Sequence, residues 1–194
     1  MTLLSRIISA LVALLMLAIL VLVAEGHRND AGVVHVTAEI NATPAEIWPW
    51  IETGQKARGW VSGLLKVSKD LSSPPLGKVG ATELWETSDE FLHDGEIFST
   101  QNLSRTCVEY AMPSRLRTHL SAPGELDGDE TFVLVDIGGG RTRLELNEHL
   151  DYSGWFVRLA EPLITRAAQT KMVEDVGQLK SLVERCVNLS TSCR

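Results

Sequence analysis

Between Val33 and Ile51 the chain reads VVHVTAEINATPAEIWPWI, a strand that runs straight into a short helix. Val34, Val36, Ala38 and Ile40 alternate with His35, Thr37 and Glu39, the two-residue period of a half-buried strand. Thr43-Pro44 then opens a helix, with Thr43 at the N-cap and Pro44 at the first helical position, where its missing N–H is not needed. Ile47, Trp48 and Ile51 fall on one face of that helix. A strand followed at once by a short, Trp-bearing helix narrows the fold far more than the chemistry, because none of these residues forms a catalytic motif.

The 194 residues suit one domain plus an appendage. The appendage is the amino terminus. From Ile7 to Ala24 no residue is charged, and a run of about 18 residues reaches across a bilayer core of roughly 30 Å. Arg6 before it places the amino terminus in the cytoplasm by the positive-inside rule. Two readings stay open. A retained single-pass anchor puts the domain on the extracytoplasmic side of the cell membrane. A signal peptide cleaved near Ala24-Glu25-Gly26 makes it secreted or periplasmic. Residues 1–26 are then the anchor or signal peptide, 27–32 a linker, 33–185 the domain and 186–194 a tail.

The net charge of −7 argues against a nucleic-acid partner, which needs a basic patch. Cys186 and Cys193 are close enough in sequence to pair, leaving Cys107 free, and no spacing among the three cysteines suits zinc. His93, His119 and His149 have neither helical nor H-x-H spacing, so no metal is expected, and no cofactor motif is present.

After the opening helix, 52–59 reads as a polar turn and 60–65 as a second helical turn leading into a strand near 64–70. Strands follow at 79–87, at 95–112 with a break near 102–104, and at 115–121, then a loop at 122–128. A hairpin joins 130–137 to 141–152 across Gly138-Gly139-Gly140. From Trp155 to Val183 apolar residues recur at steps of three and four, the pattern of one long amphipathic helix, with Pro162 set to kink it or to mark its start. Antiparallel strands closed by one carboxy-terminal helix make an α+β fold.

This order of elements, with these residues, resembles the START-like (SRPBCC) superfamily, the helix-grip fold shared by Bet v 1-like pollen allergens, lipid-transfer START domains and polyketide cyclases. Three stretches carry the resemblance: Ala42-Thr-Pro-Ala-Glu-Ile47-Trp48-Pro49-Trp50-Ile51, Gly139-Gly-Arg-Thr142-Arg-Leu144, and Glu161-Pro-Leu-Ile through Gln178-Leu179-Lys180-Ser-Leu182-Val-Glu184. It covers about Val33 to Arg185. It implies a curved antiparallel sheet gripping the long helix, with a mostly apolar small molecule, such as a lipid, sterol, polyketide or quinone, held between them. The catalytic residues of such proteins are not shared, so none carries over here.

Strand alternation suggests what faces that space. Thr142, Leu144, Leu146, Glu148, Leu150 and Tyr152 share the apolar face of the last strand, which sets Glu148 among leucines. Desolvation there raises a carboxyl pKa and suits a general base or a polar ligand contact. Alternatively Glu148 sits at the cavity mouth or pairs with Arg158 or Arg166. Thr106, Val108, Tyr110 and Met112 form a second inward face, where Tyr110 can donate a hydrogen bond, and Thr118 lies on a third. The expected ligand-binding set is Tyr110, Met112, Thr118, Leu146, Glu148 and Leu163, with Glu148 the one catalytic candidate. Three functions remain: a membrane-tethered domain binding an apolar ligand, a cyclase/dehydratase-like enzyme using Glu148 with Tyr110, and an envelope domain that contacts another protein.

Overall fold

A computed structural model describes residues 3–26, 32–88, 100–153 and 155–189, with side chains placed for 7–21, 32–88, 102–153 and 161–189. The alternating stretches become seven strands: β1 (Val33–Ile40), β2 (Leu64–Lys69), β3 (Thr82–Ser88), β4 (Thr100–Ala111), β5 (Arg115–Ala122), β6 (Leu126–Gly138) and β7 (Arg141–Tyr152). They pair antiparallel in the order β1-β7-β6-β5-β4-β3-β2. Consecutive strands β1 and β2 thus lie at opposite edges, and the chain crosses between them through α2 (Pro44–Glu52) and α3 (Gly54–Ala57). The long helix α4 (Trp155–Asn188) packs chiefly on β1 and on the amino-terminal helix α1 (Leu3–Gly26), less on α2, and meets β7 only thinly. This is the α+β helix-grip arrangement expected from the sequence.

The opening stretch behaves as its pattern requires. Glu46 accepts hydrogen bonds from the Thr43 N–H at 2.7 Å and its hydroxyl at 2.8 Å, closing the start of α2. Ile47, Trp48 and Ile51 are fully buried. They join Phe132, Leu144 and Leu146 from the sheet and Met172, Val176, Leu179 and Val183 from α4 in one core. Trp60 stands edge-on to Phe132 and donates to the Trp50 carbonyl at 2.9 Å, while Lys56 lies 4.8 Å over the Trp50 ring.

Several boundaries differ from the sequence reading. The second short helix is 54–57, earlier than expected, inside the stretch read as a turn. Strand β4 is unbroken at 102–104; its irregularity falls between Cys107 and Glu109. The expected loop at 122–128 shrinks to a turn because β6 begins at Leu126, which pairs with Tyr152. Gly128 permits that pairing: a Cβ there would sit 2.1 Å from the His149 carbonyl oxygen. Helix α4 continues through Pro162. Cys186 is disulfide-bonded and Cys107 is free, while Cys193 and His93 lie outside the described residues.

The amino-terminal segment forms helix α1 (Leu3–Gly26), which touches α4. The expected membrane-spanning helix is not met: among the described residues, no helix is long and apolar enough to cross a membrane.

Candidate functional site

The register of β3 to β7 lines up polar side chains on the face turned towards the helices. Glu148 of β7 lies opposite Glu130 of β6, which lies opposite Thr118 of β5, which lies opposite Cys107 of β4. One step along, Arg105 of β4 faces Glu83 of β3. The irregularity after Cys107 produces this set. It turns Arg105 and Cys107 inward and still lets Tyr110 point in, whereas Val108 is exposed. The inward face expected at Thr106 and Val108 is therefore shifted by one residue.

Arg105 organises this polar belt. Its guanidinium is buried, lies 3.6 Å from Glu83 and 3.2 Å from Glu130, and donates to the Ile51 carbonyl at 3.1 Å. It also stands 5.0 Å from the centre of the Trp85 ring. Glu83 accepts from the Gly54 N–H at 2.9 Å and from the Trp85 indole at 3.3 Å. Glu130 takes a further hydrogen bond from Thr118 at 3.0 Å. From α4, buried Asp175 accepts from the Ser62 N–H at 3.0 Å and from Lys171 at 2.8 Å.

Glu148 differs from these groups, since its carboxyl has no hydrogen-bond or ion-pair partner among the described residues. The residue is half-buried, and its carboxyl oxygens keep contact with solvent. Burial, then the neighbouring Glu130, push its pKa up to about 8; Lys171 opposes this and Asp175 adds to it. Two carboxyls directly opposite on adjacent strands repel when both are charged, so a proton on Glu148 relieves the pair. A carboxyl that keeps its proton can donate a hydrogen bond.

The belt also divides the interior. On the α2 side lies the continuous apolar core. Beyond it Leu120, Ala122 and Leu150 are buried but stand apart from that core. They form a second apolar patch, one residue pair along the sheet from Glu130 and Glu148.

The remaining expected residues are dispersed. Thr118 is buried within the belt, and Leu146 is buried in the main core. Tyr110 donates to Glu52, accepts from the Trp48 indole at 3.3 Å and meets the Trp48 ring edge-on. Burial, then the Glu52 hydrogen bond, raise the Tyr110 pKa. Tyr110 sits on β4, three strands from Glu148, a separation of about 14 Å. Between Tyr110 and the belt a cavity of about 20 Å³ touches Glu52, Glu83, Arg105, Cys107 and Thr118, room for a water molecule. Met112 and Leu163 are exposed. On the outer face His119 pairs with Asp127 and Asp129, each at 3.2 Å. Among the described residues no cluster of three or more His, Cys, Asp or Glu side chains is arranged to hold a metal. Reading the sequence missed Arg105, Glu83, Glu130 and Asp175. The available signal was a charged residue at an inward strand position, and it becomes visible only once the register is known.

Comparison with known proteins agrees with this architecture. Among solved structures the chain is similar to the Zhui aromatase/cyclase from a Streptomyces species, with a TM-score of 0.63 at 12% identity, over 80% of this chain and 94% of that one. It is similar to a START superfamily protein from Mycobacterium smegmatis, with a TM-score of 0.61 at 13% identity, over 79% and 97%. A conserved protein from Geobacillus kaustophilus gives 0.63 at 8% identity, over 79% and 96%. At these identities the likeness concerns the fold alone. No curated protein sequence matches the chain. The family model described as polyketide cyclase / dehydrase and lipid transport matches residues 31–184, and the chain belongs to that family.

Proposed function

We propose that this domain binds a small, mostly apolar molecule between the sheet and α4, with the molecule's polar end at Glu148 and its body against Leu120, Ala122 and Leu150. The observation that carries this reading is the unpartnered Glu148 carboxyl beside a buried apolar patch separate from the main core. Every other belt member is satisfied within the protein. Family membership points the same way. Native mass spectrometry of the full chain purified from its own host tests the reading: a mass above that of the polypeptide, lost on organic extraction and reduced by Leu120→Trp, is expected. A bare polypeptide mass, with no thermal stabilisation by apolar compounds, would sink it.

A second reading, an acid–base enzyme of the cyclase or dehydratase kind, is favoured by one observation. A carboxyl titrating near 8 can deliver and recover a proton at neutral pH. It requires turnover abolished by Glu148→Gln. Attachment to a membrane through α1, with the domain outside the cytoplasm, is supported by the apolar sequence of that helix and by its exposed Leu11, Leu14, Leu17 and Leu20. Carbonate washing of membranes and amino-terminal sequencing distinguish a retained anchor from a cleaved or soluble form.

A further inference from the structure

The loop that joins β2 to β3 leaves large aliphatic side chains in solvent. Leu71 is 91% exposed, Val79 59% and Leu76 38%. Met112, on the neighbouring β4–β5 turn, is 61% exposed. The two segments meet at Tyr110. Its hydroxyl lies 3.9 Å from the Met112 sulfur, and a Cβ on Gly77 would sit 3.4 Å from the same oxygen. A cluster of exposed aliphatic residues marks a surface that meets another apolar phase.

The loop is held in shape rather than loose. Asp70 accepts from the Ser72 N–H at 2.8 Å and from its hydroxyl at 2.7 Å. The Ser73 hydroxyl donates to the Asp70 carbonyl at 2.8 Å and accepts from the Thr82 N–H at 3.0 Å. At the other end the Gly80 N–H donates to the Cys107 carbonyl at 2.8 Å. Leu71, Leu76 and Val79 are therefore presented ready for contact, with little ordering left to do on binding.

Charge selects the phase. Lys69 and Lys78 bracket the aliphatic residues, are exposed, and have no carboxylate partner among the described residues. The acids nearby are engaged: Asp70 by Ser72, Glu52 by Tyr110 and Glu109 by Arg115. In a chain of net charge −7, two free cations beside exposed aliphatics fit an anionic lipid surface. There the ammonium groups meet headgroups while the aliphatic side chains enter below them. An acidic protein face would match the lysines but gives Leu71, which stands clear of its own chain, no depth to enter. We infer that the β2–β3 loop, together with Met112, docks on a bilayer that contains anionic lipid. The surface lies at the opposite end of the sheet from Gly32, where the chain arrives from α1, so the two need not share one bilayer. It requires no ligand inside the domain, and so stands apart from the reading above.

The test uses the full chain held in phosphatidylcholine nanodiscs, so that α1 is already covered. It is mixed with phosphatidylcholine vesicles made with or without phosphatidylglycerol. A dye attached through Pro75→Cys reports contact with brominated lipid in the vesicles. Cosedimentation with the phosphatidylglycerol vesicles and quenching of the dye by their bromine are expected, and neither with phosphatidylcholine alone. Lys69→Gln and Lys78→Gln should each weaken binding roughly fivefold, and Leu71→Ser about tenfold. All three side chains are exposed, so the melting temperature should not move. Binding should also be indifferent to naphthylmethanol, a small apolar probe for the interior site proposed above. Equal binding to both kinds of vesicle, or binding undiminished by the lysine and Leu71 variants, would overturn the inference. Salt-sensitive binding without quenching would point to a purely electrostatic surface suited to an acidic protein, and would overturn it too.

Discussion

Replacing Glu148 by Gln should abolish the fall of stability with rising pH that this site contributes. The folded protein keeps a proton on Glu148 up to about pH 8, whereas an unfolded chain releases it near the ordinary 4.5. The stability that this proton contributes is complete below about pH 4.5 and is lost as pH rises through the folded value. At roughly 1.4 kcal/mol per unit, the displacement amounts to about 5 kcal/mol. Water reaching a half-buried residue reduces that, so a loss of about 3–5 kcal/mol is expected across the range. Glu148→Gln removes the titration but keeps the shape. Urea denaturation of both chains at pH 4, 6 and 8.5 should therefore give closely similar stabilities at the acid end. At the alkaline end the variant should be more stable by about 3–5 kcal/mol. Other titrating groups act equally in both chains, and the difference cancels them. A difference that stays constant with pH would mean that Glu148 titrates as an ordinary solvated carboxyl, and the reasoning about the enclosed belt would be refuted.

Arg105→Met leaves Glu83 and Glu130 without their shared cation, and a loss of about 3–5 kcal/mol is expected in denaturant titration, part of it restored by adding Glu83→Gln. Trp48→Ala empties a fully buried site in the main core and should cost about 3–5 kcal/mol. Tyr110→Phe breaks the link between the Trp48 indole and Glu52 and should cost about 1–2 kcal/mol, while affinity for naphthylmethanol stays unchanged because Tyr110 lies three strands from Glu148.

The parts of the fold legible in the sequence are those where local pattern and tertiary packing agree. Strand β7 alternates cleanly from Thr142 to Leu150, and α2 combines a Pro-led start with three apolar residues on one face. The four-residue helix 54–57 is too short to show a period. The Gly and Asp residues of 124–129 signal a loop, yet partners on β7 extend β6 through them, which Gly128 makes possible. Asn102 and Ser104 have low strand propensity but lie between two paired neighbours, so β4 continues. Glu148 was legible because it interrupts a run of leucines. Its partners were not, because an inward Arg105 depends on a one-residue irregularity in β4, and because lateral register places Glu130 opposite Glu148.

The most direct test of the central claim is an NMR titration of the Glu148 carboxyl carbon in the full chain, with and without naphthylmethanol. The account predicts a midpoint near 8 that moves when the apolar probe is added. A midpoint near the ordinary 4.5, indifferent to the probe, would contradict it.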